Sequence, residues 1–180
     1  MRHGETEWSR SGRHTSRTDL PLIPEGEAKA RWLGPRLHGI HFDAVFSSPM
    51  LRARQTAAIA GFSEPRITEL LHEYDYGAYE GLTSPQIKAD RPDWELFRDG
   101  CPGGESPARL EERTARFVEL ARSSGDTVIG FAHGHVLRAV ATSYLGCDIG
   151  AAARLDLGTG SLSILGDGDH GTGLRLWNST

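Results

Sequence analysis

Lysine and sulphur are scarce in this chain of 180 residues. Of its 20 basic residues only Lys29 and Lys88 are lysines. Genome composition accounts for such a bias; the functional alternative is that some of the arginines grip phosphate through their planar fork. There are 2 cysteines, Cys101 and Cys147. Neither belongs to a Cys-x-x-Cys pair, so a zinc site or a redox dithiol has no support, and a disulfide is not expected in a reducing compartment. The apolar runs are far too short for a membrane-spanning helix. Arg2 and His3 are followed by polar residues rather than by the apolar core of a secretory signal, so the expected location is the cytoplasm. A net charge of -4 lacks the positive excess that draws nucleic acid or anionic lipid. With 38% hydrophobic and 24% charged residues, and no repeat, low-complexity stretch or linker, the chain reads as one domain over residues 1–180.

The local pattern alternates short apolar runs with amphipathic stretches. Residues 1–24 carry Gly4, Ser9, Ser11, Gly12 and Ser16 and read as a long loop. Pro24-Glu25-Gly26 opens a helix to about Leu37, with Ala28, Trp32 and Leu33 on one face and a kink at Pro35. Asp43 to Ser47 reads as a buried strand, Leu51 to Ile59 as a helix closed by Gly61, and Ile67 to Leu71 as a further short strand. Tyr74 to Gly81 reads as a loop. A short helix is expected near Gln86 to Ala89, another after Pro92, and a turn at Cys101-Pro102-Gly103-Gly104. Ser106-Pro107 supplies an N-cap and a first-turn proline for a helix whose Leu110, Thr114, Phe117 and Ala121 share a face. Thr127 to Ala132 is a continuous apolar strand, and Gly134 to Leu145 the helix after it. Ser161 to Leu165 and Leu174 to Trp177 are the closing strands, with a turn at Gly166-Asp167-Gly168-Asp169. The order predicts an α/β fold: a three-layer sandwich with a mostly parallel central sheet and helices on both faces.

Ligands of such sheets bind beyond the carboxyl ends of the strands. His133-Gly134-His135 follows one strand, Leu51-Arg52-Ala53-Arg54 follows another, and Arg2-His3-Gly4-Glu5-Thr6 stands near the first residue. Imidazoles and guanidinium groups are thus expected on one edge, as a dianion site. Hydrolysis of a phosphate monoester without a metal needs a nucleophile, charge neutralisation and a proton donor for the leaving alcohol. Neutral imidazole, arginine and a carboxyl group supply these, with Glu73 or Glu80 as the candidate acid.

Arg2-His3-Gly4-Glu5-Thr6-Glu7-Trp8 resembles the signature of the histidine phosphatase superfamily, the phosphoglycerate mutase-like fold. Ser47 to Ala57 resembles its second-arginine motif, Glu69 to Thr83 its acid-bearing loop, and Phe131 to Ala139 its second-histidine motif. The resemblance implies that His3 is the nucleophile. It implies that Arg2, Arg52 and His133 hold the phosphoryl group, and that Glu73 is the proton donor. Ser9 and Ser16 fall where the family contacts substrate, Tyr76 at the mouth, and Gly134 and His135 beside the second histidine. Trp8-Ser9, Gly12-Arg13-His14-Thr15, Thr18-Asp19-Leu20-Pro21-Leu22, and Asp99 to Ser106 resemble the sedoheptulose-1,7-bisphosphatase branch and a group of bacterial broad-specificity acid phosphatases.

The resemblance implies a phosphatase for sugar phosphates or similar small metabolites, working through a phosphohistidine. The alternatives are a phosphoglycerate mutase and a truncated, non-catalytic phosphate binder. Against a mutase, Ile87 stands where a lysine would align and no Arg-Arg pair occurs between Pro92 and Gly104. No cofactor is implied. His133 and His135 form a His-x-His, but companions at zinc-ligand spacing are missing, so no metal is expected. His14, His38, His41, His72 and His170 are expected at the surface or in loops. Arg13, Arg54 and Arg138 are expected in surface or helix-end contacts, with substrate as a second possibility for Arg13. Glu105 is expected either at the pocket or on the helix dipole, and Cys101 as a packed thiol. The partner is a small phosphate ester, with no nucleic acid or membrane; the oligomeric state is open, a homodimer included. In the family an apolar strand leads into the Arg-His-Gly motif, whereas here only Met1 precedes Arg2. The domain therefore reads as N-terminally short, its first central strand missing. Either the start is wrongly assigned or, if the chain truly begins at Met1, exposed strand edges and a nucleophile on a mobile terminus are the expected consequences, and with them low stability, weak activity or association.

Overall fold

Two apolar tetrapeptides form the centre of the sheet. In a computed structural model of the chain, which describes residues 1–168 and 171–180, β1 (Ala44–Ser47) pairs in parallel with β2 (Arg66–Ile67) on one side and β3 (Val128–Phe131) on the other. Side chains of successive strand residues point to opposite faces. Ala44 and Phe46 pack toward Phe117 of α6 (Pro107–Ser123) and Val136 and Val140 of α7 (Gly134–Leu145). Val45, Ile129 and Phe131 pack toward Leu33 and Leu37 of α2 (Pro24–Leu37) and Ala57 of α3 (Leu51–Ile59). The sheet is therefore covered on both faces, and the three-layer α/β architecture expected from the sequence is present. Each large aliphatic or aromatic side chain buried in these layers contributes roughly 1.5–3 kcal/mol. No helix among the described residues is long and apolar enough to cross a membrane.

The expected missing strand is corrected by the backbone of Met1 to His3. The Met1 nitrogen donates to Gly130 O at 2.9 Å. Ala132 N donates to Met1 O and His3 N to Ala132 O, both at 2.9 Å. On the other side Arg2 N donates to Ser161 O at 3.1 Å and Gly160 N to His3 O at 2.8 Å. These three residues thus occupy the strand position beside β3, with a parallel bridge between Arg2 and Ala132. Met1 is 6% and His3 5% exposed. The nucleophile candidate is consequently held on both sides rather than on a loose end, and the edge of β3 is covered at its carboxyl end, from Gly130 to Ala132.

Other departures have local causes. The buried stripe of α2 is Gly26, Ala30, Leu33 and Leu37, while Trp32 is 49% exposed and Ala28 is exposed as well. Gly26 sits against the backbone of Glu5, and once it faces inward the positions four, seven and eleven residues on must follow it. Pro35 lies within the helix, which continues to Leu37. The first loop contains a one-turn helix, α1 (Glu7–Arg10), because Thr6 and Ser9 form a reciprocal capping box. Strand β2 stops at Ile67, where Thr68 caps a 3-10 turn at Glu69–Leu71. Another 3-10 turn, Gly77–Tyr79, lies in the tyrosine loop. Short helices α4 (Ser84–Asp90) and α5 (Leu96–Asp99) follow. The final hairpin joins β4 (Leu162–Gly168) to β5 (Gly171–Ser179). Gly166, Asp167 and Gly168, expected in a turn, are paired strand residues opposite Gly173, Thr172 and Gly171. Asp169 of that turn and His170 lie outside the described residues.

Candidate active site

Because Met1 to His3, β1 and β3 run in parallel, their carboxyl ends deliver His3, Ser48 and His133 to one edge. Arg52 follows in the first turn of α3. The His3 and His133 ring centroids are 5.2 Å apart. His3 Nδ1 lies 2.6 Å from Gly4 O. A carbonyl only accepts, so Nδ1 carries the proton and Nε2 holds the free lone pair. Burial first, then the charges of Arg52 and Arg2, push the His3 pKa well below its ordinary value. The ring is neutral at pH 7 in consequence.

Backbone contact positions that ring. A Cβ on Gly4 would stand 2.3 Å from Gly26 O, and one on Gly26 would stand 2.1 Å from Glu5 O. Helix α2 therefore touches the segment after His3 main chain to main chain. Gly4 N also donates to Thr56 Oγ1 at 3.0 Å, and Thr56 Oγ1 donates to Arg52 O at 2.7 Å.

Arg2 donates through Nη1 to Leu157 O, while its buried Nε has no partner among the described residues. Its guanidinium lies against Gly134, where a Cβ would meet Cζ at 3.3 Å. Arg52 is fully buried. Its Nε donates to His133 Nδ1 at 3.0 Å, and its two terminal nitrogens donate to the carbonyls of Thr15, Ser16 and Thr18, each at 3.1 Å. Those bonds use four of the five guanidinium N–H groups. His133 Nδ1 is thereby an acceptor, so Nε2–H donates to Ser48 Oγ at 2.7 Å.

The two carboxylates considered for acid–base work have separate places. Glu73 caps the N-terminus of α7: Oε1 accepts from Val136 N at 2.8 Å and Tyr74 N at 2.9 Å, and Oε2 from His135 N at 3.1 Å. Glu80 accepts from Ser16 N and Thr18 N, each at 3.0 Å. It thus secures the same loop whose carbonyls hold Arg52. Glu105 is ion-paired to Arg113 at 2.7 Å, and Arg113 donates in turn to Leu70 O and His72 O, just before Glu73.

A cavity of about 170 Å³ opens at this edge. Arg2, His3, Glu73, Tyr76, Gly134 and His135 line it, together with Ser9, Arg13, His14 and Arg138. Arg52, His133 and Ser16 are fully buried and are not part of its lining. The Ser9 hydroxyl is shared with the Thr6 backbone, and the Ser16 hydroxyl donates to Glu73 O at 3.2 Å. His14 lies in a loop, one of the two places expected for it, and is only 7% exposed. Arg138 departs from the surface or helix-end contact expected for it. Arg138 faces the cavity, donating to Ala152 O at 2.7 Å. The signal for Arg138 was helical: four residues after Gly134, it shares that residue's face of α7. His14 carried no periodic signal. Arg54, His38 and His41 are exposed as expected, whereas His72 is partly buried, its ring 6.5 Å from His133. Cys101 packs against the core, and burial pushes its thiol up to about 12. Among the described residues no group of three or more His, Cys, Asp or Glu side chains is placed to hold a metal ion.

Three arginines, one carboxylate and a neutral imidazole with a free Nε2 make a cationic, strand-end pocket suited to phosphoryl transfer. Comparison with known proteins agrees. The family model "Histidine phosphatase superfamily (branch 1)" matches residues 1–180. An acid phosphatase of Mycobacterium tuberculosis is 41% identical over 175 residues, covering 95% of this chain and 86% of that protein. A sedoheptulose 1,7-bisphosphatase of Saccharomyces cerevisiae is 35% identical over 183 residues, covering 83% of this chain and 67% of that protein. The solved structure of an open-reading-frame product of Mycobacterium tuberculosis superposes with a TM-score of 0.95 at 39% identity, covering 99% of this chain and 95% of that one. The chain belongs to the histidine phosphatase superfamily, branch 1, and is an enzyme of the phosphatase class.

Proposed function

We propose that the chain hydrolyses small phosphate monoesters, sugar phosphates and related metabolites among them, through a phosphohistidine on His3. The observation that carries this reading is the hydrogen bond from His3 Nδ1 to Gly4 O, which leaves Nε2 as the only lone pair of a buried, neutral ring at the cavity. In the first half-reaction Nε2 attacks phosphorus, the bond to the leaving oxygen breaks, and the Glu73 carboxyl group acts as the acid that gives that oxygen its proton. In the second, Glu73 takes a proton from water, the hydroxide attacks phosphorus, and the P–N bond breaks to return neutral His3. Arg2 supports the transferred group because its Nε, without a partner among the described residues, is a donor that a phosphoryl oxygen would satisfy. Arg52 retains one N–H for the same purpose. His133 would join them by exchanging the Ser48 hydroxyl for a phosphoryl oxygen as the acceptor of its Nε2–H.

Hydrolysis is favoured over a mutase reaction by Ile87. It stands where a second-phosphate lysine would align, and it is 2% exposed within the core. The proposed setting is a single cytoplasmic domain; the oligomeric state, a homodimer included, is open. The test is inorganic phosphate release from a panel of esters, with rapid-quench trapping of an acid-labile, base-stable phosphoprotein from a radiolabelled ester. Both signals are expected in the parent and neither in His3→Ala. A His3→Ala protein as active as the parent would remove the mechanism, and efficient interconversion of phosphoglycerates without phosphate release would replace hydrolysis by the mutase reading.

A further inference from the structure

His14 and His135 stand on the cavity wall with ring planes 8° apart and centroids 5.9 Å apart. Each ring commits one nitrogen to the protein. His14 Nδ1 is 2.8 Å from Leu82 O, so it carries the proton and Nε2 is a bare acceptor. His135 Nδ1 is 2.6 Å from the Tyr76 hydroxyl. Tyr76 is 2% exposed, and among the described residues its hydroxyl has no other partner. The O–H therefore donates to Nδ1, which places the His135 proton on Nε2. Neither Nε2 has a partner among the described residues. The wall presents an acceptor and a donor side by side.

Aromatic edges frame the pair, and burial disfavours a charge on either ring. Tyr76 and Trp94 lie edge-on to His14 at 4.7 and 5.7 Å, and Phe97 lies edge-on to His135 at 5.7 Å. Burial holds both imidazoles below their ordinary pKa, His135 well below, helped by the nearby Arg138 charge. An anionic oxygen has use only for donors. A hydroxyl both donates and accepts, and so matches one bare nitrogen next to one N–H.

We propose that His14 and His135 form a subsite that reads the hydroxyl groups of the leaving alcohol, so that polyol phosphates are preferred to alkyl phosphates of the same length. This rests on the reading of the cavity as a phosphatase site, in which the phosphoryl group meets His3 and the alcohol extends past Glu73. An alcohol without hydroxyls would strip water from both Nε2 atoms and leave them unpaired, which opposes its binding.

The decisive comparison is kcat/KM for glycerol 1-phosphate against n-propyl phosphate, a pair that differs only in the hydroxyls. The parent is expected to prefer the glycerol ester by at least about tenfold. His14→Phe and His135→Phe, which keep the ring volume, are expected to bring the two values toward parity. Equal turnover of the two esters by the parent overturns the subsite while leaving the phosphatase reading intact, and needs no variant. An undiminished preference in both variants also overturns it. Phosphate release from neither ester overturns the phosphatase reading and the subsite with it.

Discussion

Replacing Gly26 by alanine sets two opposed effects against each other inside one helix. In an exposed helix interior the change stabilises by about 1 kcal/mol, because alanine loses less backbone freedom on folding. Here the new Cβ would lie 2.1 Å from Glu5 O, 2.5 Å from Glu5 N and 2.9 Å from Glu5 C. Those are main-chain atoms that cannot swing aside, and α2 must move by roughly 1 Å from the Gly4–Glu5 segment to reach ordinary contact. Glu5 O also accepts from Ile23 N at 3.0 Å at the start of α2, so the same movement strains that bond. Overpacking of this kind costs about 1–3 kcal/mol or more, and exceeds the gain in propensity. In a chain of this size each kcal/mol corresponds to about 2–4 °C in Tm. His3 is two residues before Glu5, so the displacement also reaches the reacting ring, where misplacement by about 1 Å costs up to roughly a hundredfold in rate. Gly34 in the same helix is the control: its Cβ would meet Ala60 O at 3.6 Å, an ordinary contact. Thermal melts and steady-state phosphatase assays are expected to show Gly26→Ala less stable and much less active, with Gly34→Ala at least as stable as the parent. A Gly26→Ala protein equal to the parent in both would refute the main-chain contact as the support of His3.

Two further outcomes are expected. Folded His3, His133 and His135 have pKa values well below the ordinary 6.5. The unfolded chain therefore binds more protons below that pH, and stability, complete above it, falls as acid is added toward the folded values. Melts between about pH 7.5 and 5 should show a falling Tm, a slope reduced in His133→Asn; a flat profile contradicts the burial of neutral rings. Glu80→Ala leaves Ser16 N and Thr18 N without their acceptor, at about 1–3 kcal/mol. It also loosens the carbonyls that hold Arg52, so kcat/KM should drop by about tenfold; unchanged kinetics would show that Arg52 is held without the loop.

Much of the scaffold was readable from pattern. The bounds of α3 and α7 coincide with those expected, because Gly61 and Gly146 follow them and their faces are set by neighbouring apolar residues. The serine cap and proline of α6 did the same at its start. The buried face of α2 is not legible in its sequence, because its orientation depends on a contact between glycine backbones that hydropathy does not register. The pairing of Met1 to His3 within the sheet leaves no mark in the sequence, because no apolar run announces it. Three residues suffice where backbone groups on both sides supply the hydrogen bonds. In the site, the resemblance of four motifs to the family's implies His3, Arg2, Arg52, Glu73 and His133, whereas residue types alone leave Glu73 and Glu80 equal. Their division into cavity lining and buried support was not visible.

By itself the sequence determined which histidines, arginines and carboxylate to look for, since the motifs that resemble the family's are local properties of the chain. Tertiary structure alone decided which nitrogen of each imidazole carries the proton. That choice depends on the single carbonyl, hydroxyl or guanidinium that folding brings to Nδ1: Gly4 O for His3, Leu82 O for His14, the Tyr76 hydroxyl for His135 and Arg52 for His133. For His14, His135 and His133 those partners are distant in sequence, and nothing in the local chain announces them.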